Sequence, residues 1–313
     1  MSNDLMQLRK HAGLPMLLAS GSKAGGSAKT SVLLATTSLA LLAGLRVGII
    51  DADANGTSAI SHRVQRPDVQ IIPLVDGTQV PTLLDELEGC DLILFDVGAN
   101  ELLQEQTFAT LADLAHRVGG CDGNAAMLVS QIPHKANIID DMRGTVNALG
   151  DLLDIHIVQQ NVDGTGAFDD LPPTLAMLPR HAVPHLTPTV LNISLGRGRL
   201  PADFIRDGVP GYQRLRGMWA AHLLHIATCG DFARWLGLEA GLPLLKRVAQ
   251  LAPRRALPAR VTAPRLTDEV IDGWTTVLDL HDRLDDNDDN ATLGAATRRY
   301  LAARKYVDRL LER

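Results

Sequence analysis

The chain has 313 residues, 46 % apolar and only 4 % aromatic, enough apolar material for the sizeable Ala-, Leu- and Val-rich core of an α/β protein. Its net charge of −6 is unevenly spread, with 11 Lys/Arg against 21 Asp/Glu in residues 1–194 and 19 against 15 in residues 195–313. With no apolar run of the ~20 residues a spanning helix needs, no signal-peptide pattern, and Cys90, Cys121 and Cys229 lacking C-x-x-C spacing, a membrane, secreted or iron–sulfur protein is disfavoured and a cytoplasmic one expected.

The first expected element is a buried strand, "PMLLAS" (15–20), then the stretch "GSKAGGSAK" and a helix-length run "TSVLLATTSLALLAG" closed by Gly44 at C′. Strand, glycine-bearing loop and helix frame a phosphate-binding loop, G-x-x-x-x-G-K-[ST], whose amides and lysine surround phosphates while the hydroxyl reaches Mg²⁺. Anchored on Lys29 and Thr30, that pattern wants glycine where Lys23 and Ala28 stand. A left-handed backbone at Ala28 would cost on the order of 1–2 kcal/mol, whereas hydrogen bonds to a charged phosphate contribute about 1.5–3 kcal/mol each. The alternative is a plain turn made by Gly25 and Gly26.

A second strand, "RVGII" (46–50), ends in Asp51 and Asp53 with Ala52 between them. "VQIIPL" reads as a short strand, "PTLLDELEG" as a short helix, and "CDLILFDVGAN" as a strand ending in Asp96. "ELLQEQTFATLADLAHRV" has helical spacing. "AAMLVSQIP" and "IHIVQQN" are strands flanking the helical "ANIIDDMRGTVNALGDLL", and "TLAMLPR" is expected as a last strand. Alternation of this kind implies right-handed βαβ units and a mostly parallel sheet, with ligands beyond the carboxyl ends of the strands. The loop, Asp51, Asp53, Asp96 and Asn161 would gather there. From about 212 the pattern turns helical: "YQRLRGMWAAHLLHIATCGDFARWLGL", "GLPLLKRVAQLA", then an Arg- and Pro-rich connector and further helical segments. His181 and His185 lack matching metal ligands and read as surface or cap residues.

These residues resemble the ParA/MinD group of deviant Walker A ATPases over roughly 14–195: the loop Ala24 to Thr30, Asp51-Ala52-Asp53, Asp96-Val97-Gly98, and "TLAMLPRH". The resemblance implies a P-loop NTPase-type α/β domain over 14–211, with a helical C-terminal extension over 212–313. It implies ATP held by Lys23, Gly25, Gly26, Ser27, Ala28, Lys29, Thr30 and Ser31, with Asn161 reading the base and Pro179 beside it. It further implies Mg²⁺ at Thr30, Asp51 and Asp96, and catalysis by Lys29 with Asp53 orienting the attacking water. Two departures stand out: Ala24 where the family has its signature lysine, with Lys23 one residue early, and Ala28 before Lys29.

The function so implied is ATP-dependent plasmid or chromosome partition or cargo positioning, or conjugal DNA transfer, with an ATP-dependent homodimer and a stimulating or adaptor partner. Hydrolysis is expected to be weak. Nonspecific DNA binding is expected through Lys246, Arg247, Arg254, Arg255, Arg260 and Arg265, a stretch without Asp or Glu, which would associate the protein with the nucleoid. A nonhydrolysing nucleotide-binding module and a metabolic deviant P-loop enzyme are the alternatives.

Overall fold

The computed structural model describes residues 14–21, 29–52, 66, 68–75, 77–97, 105–118, 124–186, 199–206 and 213–251. All fall in the first of two units, Met1–Pro253 and Arg254–Arg313. Seven strands appear among them: β1 (Met16–Gly21), β2 (Val47–Asp51), β3 (Val69–Pro73), β4 (Leu92–Asp96), β5 (Ala125–Gln131), β6 (Asp154–Gln160) and β7 (Arg180–Val183). The helices are α1 (Lys29–Leu42), α2 (Val80–Glu86), α3 (Glu105–Arg117), α4 (Ile138–Leu149), α5 (Pro173–Ala176), α6 (Pro201–Arg206), α7 (Gln213–Thr228), α8 (Phe232–Trp235) and α9 (Leu242–Ala249).

The strands form one sheet in the order β3-β2-β4-β1-β5-β6-β7. Every pairing is parallel, so the expected parallel α/β architecture is the observed one. Parallel strands buried on both faces need apolar side chains in both directions, which is why "MLLA", "LILF" and "AAMLV" are continuous rather than alternating. Leu18, Ile49, Leu94, Leu128 and Val158 pack on one side with α1, α6, α7, α8 and α9. Leu17, Ile50, Phe95, Met127 and Ile157 pack on the other with α2, α3 and α4. Residues 213–249 thus contribute to the same core as the sheet.

Helix α1 lies inside this sandwich, and every residue from Val32 to Leu42 is buried. Its three central hydroxyls need partners in that setting. Thr36, Thr37 and Ser38 donate to the carbonyls of Val32, Leu33 and Leu34 at 2.9, 2.7 and 2.9 Å, the bond available to a buried hydroxyl within its own helix. The helix ends as expected at Gly44, whose φ of +86° suits glycine; Leu45 N–H reaches Ala40 O and Gly44 N–H reaches Leu41 O. Arg206 also donates to Leu41 O, placing a cation at the negative end of the helix. Among the described residues no helix is long and apolar enough to cross a membrane, and Cys90 and Cys229 are free thiols.

Two expectations are corrected. "TLAMLPR" is not the last strand: Pro173 opens one helical turn, α5, and the strand begins only at Arg180, opposite Ile157 of β6. Pro172 as the flanking residue and Pro173 in the first turn favour a helix start, since φ is preset and no N–H is needed there. His181 is not a surface residue but a buried one, 2 % exposed. Its ring bonds that of His156 on β6 at 2.8 Å, and Trp235 of α8 stacks on His156 at 3.7 Å between centroids. The turn leading to α8 fits against β7 only because position 230 is glycine: φ is +59°, and a Cβ would stand 2.2 Å from Arg180 O.

Burial lowers His156 to about 3, with His181 adding to the effect, and lowers His181 to about 4. In the unfolded chain both titrate near 6.5, so between 6.5 and those values the unfolded state binds more protons. Stability is therefore fully present above pH 6.5 and is lost as the pH falls toward 4 and then 3. Urea unfolding at pH 7.5, 6 and 5 should show a decline approaching about 1.4 kcal/mol per pH unit for each histidine. His156→Gln, which keeps a hydrogen-bonding group but does not titrate, should give a shallower decline.

Candidate functional site

The strand order places β1 at the centre, with its connection running to β2 on one side while that of β4 crosses to β5 on the other. The carboxyl ends of β1 and β4 therefore border a topological switch point, where a crevice opens in parallel sheets. In register across this edge stand Asp51 of β2, Asp96 of β4 and Ser20 of β1. Strand pleating puts all three on the face that carries Leu18, Ile49 and Leu94, beneath α1. The ladder continues past them, with Ala52 N–H on Asp96 O at 2.9 Å, Leu74 N–H on Asp51 O at 2.8 Å and Val97 N–H on Ser20 O at 3.2 Å. The row is held by backbone on every strand.

From above, the first turn of α1 supplies Lys29 and Thr30. Lys29 is buried, 7 % exposed, and the Thr30 hydroxyl donates to Asp96 Oδ2 at 3.1 Å. Asp51 and Asp96 are 3 % and 1 % exposed. Ser31 follows, half-buried. Lys23, Gly25, Gly26, Ser27, Ala28 and Asp53 lie outside the described residues. The structure thus brings Lys29, Thr30, Asp51 and Asp96 to one spot at a helix N-terminus, where free N–H groups and the helix dipole favour an anion.

Asn161 caps the carboxyl end of β6. Its N–H reaches Val183 O at 3.0 Å and its Oδ1 accepts from Gly166 N–H at 2.9 Å, closing a turn in which Gly164 and Gly166 have positive φ. Pro179 stands elsewhere. Its carbonyl accepts from Ile157 N–H at 2.8 Å, at the amino end of β7. Three residues of β6 lie between Ile157 and Asn161, a distance of roughly 13 Å at the strand rise, so Pro179 and Asn161 are not brought together. Pro184, directly after Val183, follows the carboxyl end of β7.

Sequence reading passed over Pro184, Ser20, Ser130 and Gln160. Ser130 and Gln160 lie at the same edge on the α1 face of β5 and β6, both buried, with Gln160 Nε2 on Ser130 Oγ at 2.6 Å. The available signal was a polar residue at the last or second-last place of an apolar strand, in "MLLASG", "AAMLVSQ" and "DIHIVQQ".

Among the described residues no three His, Cys, Asp or Glu are grouped to hold a metal. Thr30, Asp51 and Asp96 offer instead two carboxylates and a hydroxyl. That hard, all-oxygen set fits Mg²⁺, which retains several waters and takes one or two carboxylates plus substrate phosphates.

No family model matches the chain, and no curated protein does. Among solved structures it is similar to a ParA family ATPase from Chlorobium tepidum TLS, at 11 % identity and a TM-score of 0.43 over 66 % of this chain and 98 % of that one. It is similar to the septum site-determining protein MinD complexed with Mg-ADP from Pyrococcus horikoshii OT3, at 19 % identity and TM-score 0.40 over 66 % and 95 %. FtsY from Mycoplasma mycoides is a further neighbour, at 14 % identity and TM-score 0.38 over 49 % of this chain; the chain spans about half, 54 %, of the length of that protein. What the described residues show is an all-parallel α/β sheet flanked by helices.

Asn161→Ala would remove the acceptor for Gly166 N–H and loosen the 161–166 turn without touching the sheet. A loss of about 1 kcal/mol in denaturant unfolding, with faster amide exchange at Gly166 and unchanged exchange in β6, is the expected result.

Proposed function

We propose that the chain is a ParA-like nucleotide-binding protein that takes ATP with Mg²⁺ at the amino end of α1. One observation carries this reading: Asp51 and Asp96, buried and in register, face a helix N-terminus whose Thr30 is already hydrogen-bonded to Asp96. Two buried carboxylates on neighbouring strands, about 4.8 Å apart in the sheet, are costly without positive charge beside them. Lys29, the helix dipole and a cation answer that need together.

Each group has a separate task. Amides of the first turn of α1 and the Lys29 ammonium hold the β- and γ-phosphates; Thr30 and the two aspartates hold the ion and its water. Bound Mg²⁺ supplies charge neutralisation at the transferring phosphoryl group. Asp53, two residues beyond Asp51, orients the attacking water. Asn161 lies at the same edge, and its side-chain N–H groups can read a base while its oxygen holds Gly166 N–H.

The finer reading is partition or cargo positioning, with a dimer formed on ATP, a stimulating partner, and DNA held without sequence preference. Lys246 and Arg247 project from α9 and are exposed; Arg254, Arg255, Arg260 and Arg265 lie outside the described residues. Conjugal DNA transfer is the related assignment.

Calorimetric titration should find ATP binding in the wild type that needs Mg²⁺ for full strength and drops at least tenfold in Lys29→Ala; equal affinity in the two proteins ends this reading. Asp53→Ala should retain binding and lose what turnover there is. For DNA, contacts by four arginines give a log–log salt slope of roughly −3.6. Replacing Arg254 and Arg255 by Ala should flatten it by about two.

A further inference from the structure

Among the described residues two buried side-chain atoms have no hydrogen-bond partner, Ser20 Oγ and Asn124 Oδ1. Asn124 precedes β5 at the amino end of the sheet, and its amide nitrogen is already used by the carbonyls of Pro15 and Val118 at 2.8 and 2.7 Å. Ser20, equally buried, is placed differently. It is 0 % exposed, it sits at the carboxyl edge, and it stands in register with Asp96 on the adjacent strand. Its side chain shares the face of Leu18, beneath α1, with the carboxylates of Asp51 and Asp96. The other residues of that strand are Met, Leu, Leu, Ala and Gly, and an alanine at position 20 would leave no donor unsatisfied. A hydroxyl kept there without a partner points to a second state of the site in which it has one.

We propose that Ser20 is a positioning residue for the loaded site: once Mg²⁺ and nucleotide phosphates occupy the amino end of α1, the Ser20 hydroxyl donates to the Asp96 carboxylate. In the structure Asp96 Oδ2 accepts from Thr30, on one side of the carboxylate. Ser20 approaches from the β1 side and supplies a further donor, steadying Asp96 toward the ion's water. The inference rests on the proposed nucleotide and Mg²⁺ reading and adds to it a residue that no strand-end carboxylate or loop pattern marks.

That exchange has a signature which a merely structural serine lacks. In thermal melts without ligand, Ser20→Ala should be more stable than wild type, by about 2–4 °C, because an unsatisfied buried polar group is gone. With Mg–ADP as the probe, the gain in Tm should be smaller in Ser20→Ala, and titrations should show Mg–ADP affinity lowered on the order of tenfold while metal-free ADP affinity is unchanged. Ser20→Cys, close in size with a weaker donor, should fall between. If wild type and Ser20→Ala respond equally to Mg–ADP, or if Ser20→Ala is destabilised or unfolded without ligand, the role for Ser20 is overturned and the nucleotide reading stands. If wild type itself does not respond to ADP with or without Mg²⁺, both are overturned.

Discussion

Burial of α1 on nearly all sides is the constraint from which the rest of the arrangement follows. A helix that must be apolar toward the sheet and apolar toward α6–α9 cannot be amphipathic, and its sequence is accordingly Ala, Leu, Val and self-satisfied hydroxyls. Each buried leucine on it contributes about 1.5–3 kcal/mol, so sliding the helix along the sheet would cost more than any local contact could return. The position of its first turn is therefore set by its middle. Lys29 and Thr30 are held over the strand ends by packing that involves neither of them.

Charge is the second organising element. The carboxyl edge collects Asp51 and Asp96 in a setting from which water is largely excluded, and parallel strand geometry leaves them no room to diverge. What compensates them must come from above, because the sheet below is hydrocarbon. Helix α1 points its positive end at the row and adds a lysine, the combination that also attracts phosphate. Under the proposed function, compensating the two carboxylates and receiving phosphate with its cation are one electrostatic problem.

Much of this was legible in the sequence because strands buried on both faces announce themselves as uninterrupted apolar runs, and Asp51 and Asp96 sit where such runs stop. Gly44 at the end of α1 was equally readable. "TLAMLPR" was not, because a short apolar run fits a strand or a helical turn alike, and the decisive residues were the two prolines before it. Pro179 and Pro184 flank a four-residue strand, and only the pairing of β6 with β7 shows which end each occupies. His181 was hidden for a different reason: its partner, His156, lies on another strand and its cover, Trp235, on a helix. Helical spacing in 213–249 marks helices but not the face of the sheet they close. Ser20 looks like a filler in a strand until its buried hydroxyl is seen to stand beside Asp96 without a hydrogen bond.

The two rims of the sheet differ from its centre in a way that bears on assembly. Among the described residues β3 is the outermost strand on one side and ends in Pro73, which has no N–H to offer; β7 on the other side is only four residues long and is hugged by the Gly230 turn. Neither rim presents a long row of vacant amides and carbonyls to a neighbouring molecule. Among the described residues, growth of the sheet from one copy into the next, the route by which exposed strands polymerise, is disfavoured at both margins by Pro73 and by the shortness of β7.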